Sequence, residues 1–214
     1  MSESVSRQFP RLYPIVDETL CRLHQVTAGR IAEELRAAGV QLLQYRNKVE
    51  GPQSILRASA LIWEVFAGSG CRLILNDHAD LVVLADFDGV HVGHQDLSPE
   101  DARRVVGAER WVGVSTHNDE QVRIADATSA NYLAIGPVFA TGTKLDTEPV
   151  IGLEGVRQAR RLTKKPLVAI GGITRKNARS VAEAGADSVV VISGLFVDGE
   201  TVEKVTGDFL EILR

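Results

Sequence analysis

Eight short β-branched or leucine-rich runs, each followed by a stretch of helical period, alternate along this chain, and that alternation limits the folds open to it more than any other feature. The runs are Leu12–Val16, Gln41–Tyr45, Arg72–Leu75, Gly89–Val92, Trp111–Val114, Tyr132–Ile135, Leu167–Ile170 and Ser188–Ile192. The helical stretches are Ala28–Ala38, Pro52–Ala67, Ala79–Ala85, Pro99–Val106, Asn118–Ala127, Gly152–Leu162, Arg175–Ala184 and Glu200–Leu213. Ser98-Pro99 reads as an N-cap with proline at the first helical position, and Ala38-Gly39 and Ala184-Gly185 read as glycine stops. Repeated βα units cross over right-handedly, and eight of them can close a parallel sheet into an α/β barrel of the TIM, or (β/α)8, type. A doubly wound open sheet would more naturally have roughly five to seven strands and a glycine-rich turn after the first. Here Val16-Asp17-Glu18-Thr19 follows the first run, with no GxGxxG. No linker or charge block divides the chain, so residues 1–214 are expected to form a single domain.

Composition excludes several classes. The 24 Lys and Arg against 28 Asp and Glu, spread in both signs, leave a net charge of −4 and no basic field for nucleic acid. The apolar runs fall far short of the roughly 20 residues that span a bilayer, and Met1 to Pro10 lacks a signal-peptide apolar region. A cytoplasmic location without a membrane partner is expected. Cys21 and Cys71 fit no metal-ligand spacing and read as reduced structural thiols. Composition leaves oligomeric state open, with a homo-oligomer compatible.

In such a barrel the chemistry sits at the C-terminal ends of the strands. Following the runs in order, those ends carry Gln44, Arg46 and Lys48; Asn76 and Asp77; Asp96; Ser115 and His117; Gly136, Thr141, Thr143 and Lys144; Gly171 and Gly172; and Ser193. Any one of these alone would be a solvated loop residue; seven consecutive polar strand ends point to a polar site. Ile170-Gly171-Gly172-Ile173, leading to Thr174 as an expected helix N-cap, together with Ile192-Ser193-Gly194, suits a phosphate. Asp77 and Asp96 are candidate ligands for Mg²⁺, which takes one or two carboxylates and fills its other positions with water and phosphate oxygens. Arg46, Lys48 and Lys144 would surround a metal-compensated diphosphate. His91 reads as a packed strand residue, and Asp17 has no assigned role. The longest irregular connection, Gly136 to Ile151, is the expected cover for the site.

The ordered set Gln44-x-Arg46-x-Lys48, Asn76-Asp77-x-x-Asp80, Gly89-Val90-His91-Val92-Gly93 with Asp96, Ser115-Thr116-His117, Gly136-Pro137-Val138-Phe139-Ala140-Thr141-Gly142-Thr143-Lys144 and Ile170-Gly171-Gly172-Ile173 resembles the thiamin phosphate synthase family over nearly the whole chain. The IGGI piece is common among phosphate-binding barrels; QxRxK, ND and TxTK in this order are far more specific. Ala140, His94-Gln95 and Ser193-Gly194-Leu195-Phe196 depart from the usual pattern, the last resembling the related thiazole tautomerase.

The resemblance implies a transferase of thiamine biosynthesis. It would join 4-amino-5-hydroxymethyl-2-methylpyrimidine diphosphate to a thiazole phosphate and release diphosphate, with Mg²⁺ as cofactor. It further implies that Gln44, Tyr45, Arg46, Asn47, Lys48 and Asn76 bind the pyrimidine diphosphate, and that Ser115 contacts the pyrimidine. Asp77 and Asp96 would hold Mg²⁺ and Lys144 the diphosphate, while Thr141, Gly142, Thr143, Gly172, Ile192 and Ser193 receive the thiazole phosphate. Arg46, Lys48, Ser115 and Lys144 are the implied catalytic residues. Two alternatives remain at this stage: a thiazole tautomerase, and a non-catalytic phosphate-ligand sensor.

Overall fold

A computed structural model describes residues 9–141 and 148–214. Eight parallel strands, β1 (Leu12–Asp17), β2 (Leu42–Arg46), β3 (Arg72–Asn76), β4 (Gly89–Val92), β5 (Trp111–Thr116), β6 (Tyr132–Ile135), β7 (Leu167–Ala169) and β8 (Ser188–Val191), pair in sequence order and close through β1 and β8. The expected α/β barrel is therefore the observed one. Its main helices are α2 (Ala28–Ala37), α3 (Pro52–Phe66), α4 (Ala79–Leu84), α5 (Pro99–Val106), α6 (Asp119–Asp126), α7 (Gly152–Leu162), α8 (Ala178–Glu183) and α9 (Val202–Ile212).

Two elements lie outside the sequence reading: α1 (Glu18–Leu23), where Asp17 caps the helix by accepting from the Leu20 amide at 3.1 Å, and a 3-10 turn at Ser193–Leu195. Ser98 caps α5 as expected, and Gly39 and Gly185 adopt positive φ after their helices. One helix start differs. Thr174 is not an N-cap: α8 begins at Ala178, and the Thr174 amide instead donates to Asn177 Oδ1 at 2.8 Å while Asn177 Nδ2 reaches the Gly172 carbonyl at 3.0 Å. The Asn177 side chain instead ties Gly172 and Thr174 into a turn, and the helix starts only after it.

Alternation along each strand separates two apolar layers. Outward residues such as Val16, Leu43, Tyr45, Leu75, Val112, Leu133 and Val189 pack under the helices in one large cluster. Inward residues Tyr13, Ile15, Leu42, Ile74, Tyr132, Ala134, Val168 and Val190 fill the barrel. The N-terminal end is stoppered by aromatic rings: Phe9 stacks on Trp111 with centroids 5.4 Å apart, and the Arg72 guanidinium lies 4.3 Å from the Trp111 ring centroid.

Gly113 faces Tyr132 across the β5–β6 pairing, and a Cβ at Gly113 would stand 2.1 Å from Tyr132 Cζ. The glycine is thus the space in which the tyrosine ring lies. Gly113→Ala should cost about 1–3 kcal/mol through overpacking, read as a lowered denaturant midpoint; unchanged stability would show that the ring moves aside freely.

Candidate active site

The inward parity that fills the barrel with apolar residues delivers polar ones at its C-terminal rim. Tyr13, Ile15, Gln44, Arg46, Asn76, His91, Ser115, Ala134, Val168, Ile170 and Val190 line a cleft there. Gln44 is 2% exposed and Asn76 8%, so their amides are held within protein. Among the described residues, the buried Asn76 Nδ2 and Arg46 Nε groups have no hydrogen-bond partner. Unpaired buried donors cost free energy, and both belong to side chains that line this cleft, as expected of a site made to receive acceptor atoms.

Arg46 is anchored by Asp17, whose carboxylate accepts a hydrogen bond from the guanidinium Nη1. This pair is nearly enclosed, with side chains 14% and 3% exposed. Asp17 is thus a site residue that sequence reasoning left without a role, because its partner lies 29 positions away. A carboxylate ending the first strand, on the same rim as the other polar strand ends, was the available signal.

Not every residue of the QxRxK run faces the cleft. Tyr45 is fully buried among the helices, its phenol donating to Glu18 at 3.1 Å. Asn47 braces the following turn: its Oδ1 accepts from the Val49 and Glu50 amides at 3.1 and 3.0 Å, and its Nδ2 donates to the Tyr45 hydroxyl. Period-two alternation turns these side chains away, so neither is a cleft side chain.

Beyond the cleft, Lys48 Nζ lies 3.1 Å from Asp77 Oδ2, and the Asp96 carboxyl neighbours that of Asp77. Asp77 sits in the left-handed region at φ 67°, which aspartate tolerates better than most residues. Its carboxyl pKa is raised, first by burial and then by Asp96, while Lys48 opposes the shift. Asp96 Oδ2 also accepts from the Gly93 amide at 2.8 Å. Among the described residues no group of three or more His, Cys, Asp or Glu side chains could hold a metal. Two adjacent hard carboxylates are nonetheless a sufficient protein donor set for Mg²⁺ that keeps water and phosphate ligands.

A second pocket adjoins the first, sharing Ile170 and Val190 with it, and is also lined by His117, Gly136, Thr141, Glu148, Gly171, Gly172, Ile192, Ser193 and Gly194. The structure thus brings Thr141, Gly172, Ile192 and Ser193 together. Gly171 and Gly172 have positive φ, and a Cβ at Gly172 would lie 2.7 Å from the Ala140 carbonyl oxygen, so the turn also requires glycine for packing. Since α8 starts later, helix-terminal charge does not reach this turn. His117 and Glu148 join the pocket, His117 Nδ1 donating to the Gly136 carbonyl at 2.6 Å. Gly142, Thr143 and Lys144 lie outside the described residues.

Under the cleft runs a chain of side-chain hydrogen bonds. Gln44 Nε2 lies 3.0 Å from Tyr13 Oη, which is 2.8 Å from Tyr132 Oη. Tyr132 Oη is 3.1 Å from His91 Nδ1, and His91 Nε2 is 2.9 Å from Ser115 Oγ. Tyr13 and Tyr132 are fully buried, and burial drives both phenol pKa values upward.

Residues 12–195 match the family model for thiamine monophosphate synthase. The chain belongs to this family. It is 51% identical over 209 residues to a thiamine-phosphate synthase of Koribacter versatilis, covering 97% of each chain. A thiamine-phosphate synthase of Methanosarcina mazei is 38% identical over 202 residues, covering 94% of this chain and 82% of that one. The solved thiamine phosphate pyrophosphorylase of Pyrococcus furiosus superposes with a TM-score of 0.85 at 28% identity, covering 97% of both chains. As a member of the thiamine monophosphate synthase family, the chain is a transferase of thiamine biosynthesis. The tautomerase and sensor alternatives are not favoured. No helix of the described residues is long and apolar enough to cross a membrane.

Proposed function

We propose that the two adjoining pockets hold the two substrates of a condensation: 4-amino-5-hydroxymethyl-2-methylpyrimidine diphosphate in the strand-lined cleft, and a thiazole phosphate against the Gly171-Gly172 and Ser193 turns. The observation that carries this reading is their shared wall of Ile170 and Val190, with unpaired donors on one side and glycine turns on the other. Gln44, Asn76 and Ser115 contact the pyrimidine. Arg46 and Lys48, with Lys144 from outside the described residues, bind its diphosphate. Thr141, Gly142, Thr143, Gly172, Ile192 and Ser193 position the thiazole phosphate.

In the reaction the pyrimidine methylene C–O bond breaks and its electron pair leaves with diphosphate. The thiazole nitrogen then supplies the pair for the new C–N bond. No protein nucleophile is needed; the task is to stabilise charge on the leaving group. Arg46, fixed by Asp17, and Lys48 provide preorganised positive charge, and the apolar wall excludes water that would capture the methylene cation. Mg²⁺ held by Asp77 and Asp96 would neutralise diphosphate oxygens as a Lewis acid.

Mixing both substrates with Mg²⁺ should release one diphosphate per thiamin phosphate formed, and EDTA should abolish the release. Isomerisation of the thiazole without diphosphate release would overturn the reading. Turnover that survives EDTA would remove the metal assignment while leaving the condensation in place.

A further inference from the structure

Gln44 on β2 and Ser115 on β5, on opposite sides of the cleft, are joined beneath it by Tyr13, Tyr132 and His91. The joining residues come from three further strands, β1, β6 and β4, so the path crosses the barrel interior. Its direction follows from the chemistry of its members. An amide nitrogen can only donate, so Tyr13 Oη accepts from Gln44 Nε2. Buried phenols with raised pKa values keep their single proton, and the Tyr13 proton is therefore directed to Tyr132. Tyr132 in turn directs its own proton to His91 Nδ1. A neutral imidazole accepting at one nitrogen donates from the other, so His91 Nε2–H points at Ser115 Oγ.

We propose that His91 is a positioning residue: held as its Nε2–H tautomer by Tyr132, it occupies a lone pair of Ser115 Oγ and turns the Ser115 proton into the cleft as a donor. The substrate atom opposite Ser115 must then be an acceptor. A pyrimidine ring nitrogen or a diphosphate oxygen satisfies this; an exocyclic amino group presenting its protons does not. Gln44 thereby has two functions, lining one wall and setting the proton direction at the other. The functional half of this inference rests on the assignment of Ser115 as a substrate contact under Proposed function; the tautomer does not. The space that Gly113 leaves for the Tyr132 ring is part of the same device.

Nitrogen-15 NMR of the full chain, labelled at histidine and free of ligand, reads the tautomer directly, with His91 identified by the resonances that disappear in His91→Gln. The expected result at neutral pH is a protonated Nε2 and an unprotonated Nδ1. In Gln44→Glu, where a carboxylate must accept from Tyr13, the order of donors reverses and the proton moves to Nδ1. An Nδ1–H tautomer or a doubly protonated ring in the parent protein overturns the proposal whatever the substrates prove to be.

Kinetics with the two proposed substrates read the consequence. Ser115→Ala and His91→Asn should each lower kcat/KM about tenfold, the double variant losing no more than either alone. His91→Gln, whose amide nitrogen can take the place of Nε2, should stay within about threefold of the parent. Equal losses in His91→Gln and His91→Asn would reduce His91 to packing and overturn the proposal. Full activity in Ser115→Ala together with the expected tautomer would remove Ser115 as a substrate contact, and with it the functional half of the inference. Impaired Ser115→Ala with the opposite tautomer would retain the contact and reject the positioning.

Discussion

Asp77→Ala is expected to lower kcat/KM by about 100-fold or more, comparable to the loss of one preorganised charge-stabilising group. The Mg²⁺ concentration needed for half-maximal rate should rise with it. Asp77 carries two burdens: its carboxylate is removed from water, and a second carboxyl group, that of Asp96, stands beside it. Both raise its pKa, so the site binds a proton in competition with a cation. Activity at limiting Mg²⁺ should therefore fall as pH falls through the raised value, and excess Mg²⁺ should move that fall to lower pH. The stability sign is opposite. A carboxyl whose folded pKa exceeds its unfolded one favours the folded state at low pH, and that contribution is lost as pH rises through the folded value. Metal-free Asp77→Asn should accordingly be more stable than the parent at neutral pH while remaining poorly active. Parent-like Mg²⁺ dependence in either variant would refute the metal assignment.

Arg46→Met should damage both folding and turnover. It removes positive charge from the cleft and strands Asp17, which is 2% exposed, without its cation. Breaking a buried ion pair from one side costs about 3–5 kcal/mol, measurable as a lower denaturant midpoint. Turnover should fall about 100-fold or more through lost leaving-group stabilisation. The double variant Asp17→Asn/Arg46→Met separates the two effects. Asparagine can still cap α1 and carries no charge to strand, so stability should recover while activity stays low. Recovery of activity in the double variant would mean that Arg46 serves the fold alone.

The barrel was legible because each strand and helix is specified locally. Strand spans agree with the apolar runs to within one or two residues, and the Ser98 cap and the Gly39 and Gly185 stops occur where the sequence places them. The rim was legible because barrel connectivity sends every strand end to one face. What escaped depended on partners distant in sequence or on side-chain direction. Asp17 acquires meaning only beside Arg46. Tyr45 and Asn47 share a motif with cleft residues, yet strand alternation and the following turn direct them elsewhere. Thr174 has the chemistry of a cap, but the Asn177 side chain ties the segment into a turn and α8 starts only after it. The alternation of β4 marks His91 as a buried strand residue, but its path to Gln44 requires Tyr132 and Tyr13 from strands that lie far apart in the sequence.

The rings of Phe9 and Trp111 shut one end of the barrel. Among the described residues the two pockets open at the other end, so traffic through the site is two-way over one rim. Both reactants must arrive at the rim, and the departing anion and the finished product must leave past the same loops, so the speed of each turnover is open to control by how readily that one doorway clears.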